Sequence, residues 1–270
     1  MADLPDPITL KDTPLVNANI PALDMLARIG DLTALPVNSS SPVSHKNALI
    51  NLLGFDLQKG EPFTEELMEF GLDNSSAITG FKSLKPFVIP GFSGHGVCIT
   101  TSAWVRGLAK CALLKTRDIY SPGSSDAEIL ETMASLVCES ITVNEFVLVY
   151  VDTPLRASLK GDYDRKIQSL ESIDRHLIAP VADFVWKSEL MINMAVTTDL
   201  VTPWHRKRPA MLSVPVVLYF NNNHFEEDQR FSFTEVQAML GTRHFNSSNA
   251  LIKYLSSFHV EEDNPDEETL

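Results

Sequence analysis

Phe146-Val147-Leu148-Val149-Tyr150-Val151-Asp152 is an unbroken apolar run that ends on a carboxylate. A strand with one wet face alternates apolar and polar residues, whereas a strand covered on both faces is apolar throughout, so this run reads as a buried strand of a parallel sheet. Val214–Phe220 has the same character, and Gly96–Thr101 and Met191–Thr197 read as further strands. Between them lie helical patterns over 102–113, 126–138 and 163–182. Strands alternating with helices of this length imply βαβ units and a mostly parallel sheet with helices on both faces. In such sheets chemistry collects beyond the carboxyl ends of the strands. That directs attention to the loops expected at 153–162 and 198–213.

Working back toward the start, 20–30 and 44–54 read as short amphipathic helices and 32–37 as a short strand. The polar passage from Gly71 to Gly80, rich in Asn, Ser and Gly, reads as a connection between two halves of the fold, with a seam near 71–81. At the other end, Glu261, Glu262, Asp263, Asp266, Glu267 and Glu268 make 259–270 a solvated acidic tail, which leaves 1–258 as one globular unit.

A chain of 270 residues that is 44% hydrophobic and 21% charged has ample material for one large core. Its formal charge of −13 argues against a nucleic-acid or anionic-membrane partner, because phosphate backbones are bound by neutralising them with Lys and Arg. No stretch reaches the roughly 20 apolar residues of a membrane span, and the start lacks a basic segment followed by an apolar one, so the expected location is the cytoplasm. Cys98, Cys111 and Cys138 are odd in number, widely spaced and set among apolar residues, a pattern of reduced core thiols.

Four segments resemble one enzyme family. The stretch 13–24, Thr13-Pro14-Leu15 through Pro21-Ala22-Leu23-Asp24, is similar to the "TPLEAANTPNLD" segment of archaeal-type phosphoglycerate mutases that work without 2,3-bisphosphoglycerate. Leu52-Leu53-Gly54-Phe55-Asp56 resembles that family's "LLGYD". Gly161-Asp162, Lys166 and Ile173-Asp174-Arg175 resemble the helix after its "DEAGHEGD" loop. Asp199, Thr202-Pro203 and Val214-Pro215-Val216 fall on its "DHxTP...PVP" run. The matches keep family order over most of the chain. The resemblance implies an α/β, three-layer αβα sandwich of the alkaline phosphatase type, with two departures. The passage 71–81 leaves no room for the family's inserted cap domain, and Met1-Ala2-Asp3 aligns just beyond the family's opening "DG", so its first strand and metal-binding Asp fall outside this reading frame.

The family transfers a phosphoryl group through a serine beside two Mn- or Zn-type ions, which need a cluster of Asp and His ligands. Carried over residue by residue, the ligand positions here hold Leu155, Leu159, Leu200 and Pro209, and only Asp199 remains as a vestigial metal ligand. Leu and Pro offer no lone pair to a metal. The expectation is therefore a catalytically degenerate homologue with no metal cofactor, acting by binding a partner protein or a phosphorylated or acidic small molecule. The dense basic cluster His205-Arg206-Lys207-Arg208 in an acidic chain is the expected ligand grip. The nucleophile position falls on His45, or on Ser44 after a one-residue shift. One alternative is a mutase or phosphoester hydrolase rebuilt from Asp199, Ser44 or His45, His95 and His205 with Mn or Zn. Another is a structural subunit of a larger assembly that uses an unpaired sheet edge. Gly91-Phe92-Ser93-Gly94-His95-Gly96 has the outline of a nucleophile elbow, but β-prone residues follow it where a helix is required.

Overall fold

The computed structural model describes residues 13–37, 43–54, 64–73, 86–93, 95–117, 119, 123–222 and 231–257; the acidic tail and most of the 71–81 seam lie outside them. Its elements in chain order are α1 (Pro14–Asn17), α2 (Pro21–Ile29), β1 (Asp31–Leu35), α3 (His45–Leu52), α4 (Thr64–Leu72), β2 (Gly96–Thr100), α5 (Ala103–Cys111) and β3 (Lys115–Arg117). They continue with α6 (Asp126–Ile141), β4 (Phe146–Tyr150), α7 (Thr153–Lys160), α8 (Tyr163–Ile173), α9 (Ala179–Lys187), β5 (Asn193–Thr197), β6 (Val214–Phe220), α10 (Glu235–Ala238) and α11 (Asn249–Ser257).

Side-chain alternation along the strands builds the three layers. In β2, Val97 and Ile99 join a cluster with α2, α6, α8 and α9, while Cys98 points the other way into a cluster with α3, α4 and α5. In β6, Val217 and Tyr219 join the first cluster, while Val216, Leu218 and Phe220 pack with α3 and α11. Helices thus cover both faces, giving the three-layer α/β architecture expected from the strand–helix alternation.

The strands pair as two groups of three. In the order β3-β2-β4 every pairing is parallel, and in the order β1-β6-β5 every pairing is antiparallel. Both groups feed one cluster on the side of α2, α6, α8 and α9, and each packs on α3 and α11 on the other side, so they lie in one layer, with β4 and β5 as the facing edges.

Several boundaries have local causes. The helix over 163–182 runs on to Lys187 and is interrupted by a π-helical turn over 174–178. Pro180 has no N–H and its ring clashes with a carbonyl one turn back in a regular helix; the wider turn just ahead of it relieves both problems. That turn also aims Asp174 at the start of α2. The residue before α2, Ile20, has no capping side chain. Instead Asp174 accepts from Ala22 N at 3.1 Å and Leu23 N at 2.8 Å, capping the helix from 151 and 152 positions away in sequence.

Three expectations need correction. The segment 153–162 is not a loop: Pro154 in the first turn starts α7, and Gly161, at φ +75°, ends it in the left-handed conformation glycine favours. Gly71 belongs to α4 rather than to a polar connection. It lets α4 lie directly on α5, for a Cβ built there would stand 1.8 Å from Ala103 O, and one on Gly107 would stand 1.9 Å from Leu67 O. Finally, β4 is apolar throughout yet only half-buried along its whole length, as is β5.

Candidate functional site

β5 ends at Thr197, and the following bend carries Asp199 to the carboxyl-end rim of the sheet. Ser44 fixes the start of α3: its backbone is extended and its Oγ accepts from Asn47 N at 3.2 Å. Its hydroxyl is spent as an N-cap. The next residue, His45, turns its ring inward onto Asp199.

His45 Nδ1 lies 2.9 Å from Asp199 Oδ1, and His45 Nε2 lies 2.7 Å from Thr202 Oγ1. Tyr150, the last residue of β4, donates its hydroxyl to Asp199 Oδ2 at 3.3 Å. Lys166, only 1% exposed, reaches from α8 and donates to the Thr202 carbonyl at 3.2 Å. The side chains of His45 and Asp199 are 13% and 7% exposed, so the pair is shielded from water rather than displayed on the surface. A carboxylate only accepts hydrogen bonds, so Nδ1 carries the ring proton that faces Asp199. In a neutral ring Nε2 then accepts from the Thr202 hydroxyl. Burial first, and then the charges of Asp199 and Asp152, push the Tyr150 hydroxyl far above its ordinary range, which keeps it a donor.

Chemically this is a carboxylate–imidazole–hydroxyl line, the order in which a base is oriented against a hydroxyl in acyl-transfer enzymes. It does not fit a two-ion centre. The carboxylate is occupied by the imidazole and the phenol. Leu200 is 1% exposed and packs into the core, Leu155 is half-buried on α7, and Leu159 is 47% exposed on the outside of that helix. Among the described residues, no group of three His, Cys, Asp or Glu side chains is gathered as a metal would require.

The basic cluster stands on the same rim. A bridge between Val201 and Ala210 closes the loop that carries it, and the Pro203 carbonyl accepts from Arg206 N and Lys207 N to make a tight turn. Lys207 takes φ +53° and lays its side chain across Gly161, at the end of α7; Trp204 packs on Tyr163 at 5.1 Å between ring centres. His205, Arg206, Lys207 and Arg208 are all exposed and make no ion pair with a described residue.

Of the residues singled out in the sequence, the fold joins His45, Asp199 and Thr202, sets the basic cluster on the same rim, and leaves His95 apart. His95 lies just before β2, at the amino ends of β2 and β4. There Ser93 Oγ donates to Glu145 Oε2 at 2.6 Å and lies 3.2 Å from His95 Nδ1; the carboxylate holds the serine rather than the histidine, so no relay forms. Tyr150 and Lys166 complete the site and were not picked out as site residues. The signal for Tyr150 was its place at the carboxyl end of a strand. For Lys166 it was a long cation on the apolar side of a helix.

No family model matches the sequence. Among characterised proteins, the 2,3-bisphosphoglycerate-independent phosphoglycerate mutase 1 of Methanocaldococcus jannaschii is 26% identical over 227 residues, covering 82% of this chain and 54% of that protein. The corresponding enzyme of Saccharolobus solfataricus is 24% identical over 237 residues, covering 83% and 55%. That of Aeropyrum pernix is 26% identical over 113 residues, covering 42% and 27%. The chain therefore spans between about a quarter and about half the length of these relatives. Among solved structures, the PH0037 protein of Pyrococcus horikoshii superposes with a TM-score of 0.73 at 19% identity, covering 95% of this chain and 92% of that one. A cofactor-independent phosphoglycerate mutase from Thermoplasma acidophilum gives 0.61 at 14% identity, covering 95% and 96%. By sequence and by fold, this chain is a relative of the archaeal cofactor-independent phosphoglycerate mutases.

Proposed function

We propose that this chain has kept the mutase fold without two-metal chemistry and works by binding an anion, either a phosphorylated or acidic small molecule or an acidic surface of a partner protein, on the rim carrying His205, Arg206, Lys207 and Arg208. The observation that carries the proposal is the engagement of Asp199. Where a metal would need a free carboxylate among other ligands, His45 and Tyr150 take both oxygens, and Leu155, Leu200 and Pro209 fall where the family resemblance implies further ligands. Apolar groups next to a divalent ion would strip its water without replacing it. Exposed guanidinium groups, by contrast, suit carboxylate and phosphate oxygens.

Two measurements on the purified protein test this. Elemental mass spectrometry after incubation with Mn²⁺ or Zn²⁺ and desalting is expected to find close to no metal per chain. Calorimetric titration with 3-phosphoglycerate is expected to give binding that weakens at least about tenfold in Arg206→Ala/Arg208→Ala, the loss of one or two charge-assisted bonds. Metal-dependent mutase turnover, or anion binding indifferent to both arginines, would overturn the proposal.

One observation favours a second function, phosphoester hydrolysis from a rebuilt site. The Asp199–His45–Thr202 line has the order and distances of an oriented base beside a hydroxyl. Release of phosphate from p-nitrophenyl phosphate that disappears in Thr202→Val would establish it; no release with or without Mn²⁺ would remove it.

A further inference from the structure

The basic turn is the exposed tip of a loop with a buried root. Exposure is 1% at Leu200 and Val201 and 3% at Thr202, and the chain then rises through Pro203 and the half-buried Trp204 to the exposed residues 205–208. Thr202 is gripped from both helical layers. From α3, His45 Nε2 lies 2.7 Å from its Oγ1; from α8, Lys166 Nζ donates to its carbonyl at 3.2 Å. These two helices belong to clusters on opposite faces of the sheet. α8 also supports the tip. Tyr163 stands three positions before Lys166, so the two share a face of the helix. Its ring packs on Trp204 at 5.1 Å, and its hydroxyl accepts from Asn17 Nδ2 at 2.6 Å. One face of α8 therefore touches the loop at its root and at its tip.

We propose that His45 and Lys166 are positioning residues of the basic rim: by fixing Thr202 they set where Arg206 and Arg208 stand, and so set the rim's affinity for an anion without contacting it. This rests on the reading of the rim as an anion site. Arg206, Lys207 and Arg208 are three cations in succession, whose mutual repulsion favours a spread turn. A turn that had to be ordered at the moment of binding would bind more weakly. Here it is ordered beforehand: the Pro203 carbonyl accepts from Arg206 N at 3.1 Å and Lys207 N at 2.9 Å, and Ala210 N donates to the Val201 carbonyl at 2.8 Å. Lys207 holds φ +53°, a conformation that a residue with a side chain keeps only where its surroundings over-determine it. Both hydrogen bonds of the turn start from the residue next to Thr202, so whatever fixes Thr202 is passed directly to the backbone of Arg206. Burying a lysine is costly unless its charge is engaged, and part of that engagement here is the Thr202 carbonyl.

Two readouts on the full chain test this. In the ligand-free protein, amide exchange followed residue by residue is expected to be about five- to tenfold faster at Arg206, Lys207 and Ala210 in Thr202→Val, with β6 unchanged and the wild-type rates restored in Thr202→Ser, which keeps the hydroxyl. In calorimetric titration, the affinity for 3-phosphoglycerate is expected to fall at least about fivefold in Thr202→Val and to recover in Thr202→Ser. His45→Ala should match Thr202→Val, and Lys166→Met should act in the same direction through the carbonyl; if either fails to fold, the two Thr202 variants decide. Unchanged amides in Thr202→Val would show that the root does not hold the tip, and loosened amides with unaltered affinity would show that holding it is irrelevant to binding. Either result overturns the inference. So would exchange that accelerates equally through β6, since the variant would then only be unstable. Failure of the rim reading has a different signature, binding indifferent to Arg206→Ala/Arg208→Ala, and in that case the amide comparison alone decides whether the root holds the tip.

Discussion

Breaking the His45–Asp199 contact measures whether the rim network is a structural tie or a surface decoration. The two side chains are 13% and 7% exposed and 2.9 Å apart, and each has a second partner, Thr202 for the imidazole and Tyr150 for the carboxylate. An exposed ion pair contributes about 0–1 kcal/mol, while a hydrogen bond to a charged group in a shielded site contributes about 1.5–3 kcal/mol. Truncating either residue also strands the other's polar atoms. We therefore expect His45→Ala and Asp199→Ala each to cost about 2–4 kcal/mol, the upper end reflecting about 1–3 kcal/mol for an unsatisfied buried group. The double variant should cost less than the sum by about 1.5–3 kcal/mol. Urea denaturation of the four proteins gives the cycle directly, as shifts in midpoint at constant slope. A coupling below about 0.5 kcal/mol would show that the imidazole does not hold the carboxylate, and the account of why a metal is displaced would fall with it.

Removing the carboxylate that caps α2 from a distance, Asp174→Ala, leaves the Ala22 and Leu23 amides without acceptors and should cost about 2–4 kcal/mol in the same assay; Asp174→Asn, which keeps one acceptor, should cost less. Gly107→Ala puts a methyl against the Leu67 carbonyl, so the usual helix gain of about 1 kcal/mol should turn into a net loss of about 1–3 kcal/mol, read as a fall in melting temperature. Burial pushes the Cys98 thiol up to about 12 and the Cys111 thiol to about 11, against an ordinary value of 9.0. Both should resist iodoacetamide at pH 8 in the native protein and react after unfolding. The native state holds these protons more tightly than the unfolded state does, so their contribution is complete below pH 9 and is lost as pH rises from there through 11 to 12; the urea midpoint should fall over that window.

The strands were legible because their chemistry is local. The continuous apolar residues of Val214–Phe220 need no partner to be recognised, and the structure gives the strand the same limits. α6 was legible in outline for the same reason, and its start is a capping box made within one turn by Ser125 and Glu128. What escaped depends on contacts between distant segments. Nothing near Ile20 announces that α2 is capped by Asp174 across 152 positions. α4 was hidden because Gly71 reads as a loop residue, and its purpose, close approach to α5, exists only after packing. The site divides along the same line. Asp199 and His45 were visible as single residues at family positions, but an imidazole at a helix start reads as a surface group until Ser44 caps the helix and turns the ring inward.

The half-buried state of β4 carries the most weight of these differences. Its sequence is that of a strand covered on both faces, yet its neighbour on one side is a cavity of about 640 Å³ and not a strand. Local propensity and tertiary environment normally agree, and disagreement is expected at functional or strained sites. The Tyr150–Asp199 hydrogen bond joins β4 and β5 at the rim, with a long phenol side chain reaching from the end of β4 to the turn after β5.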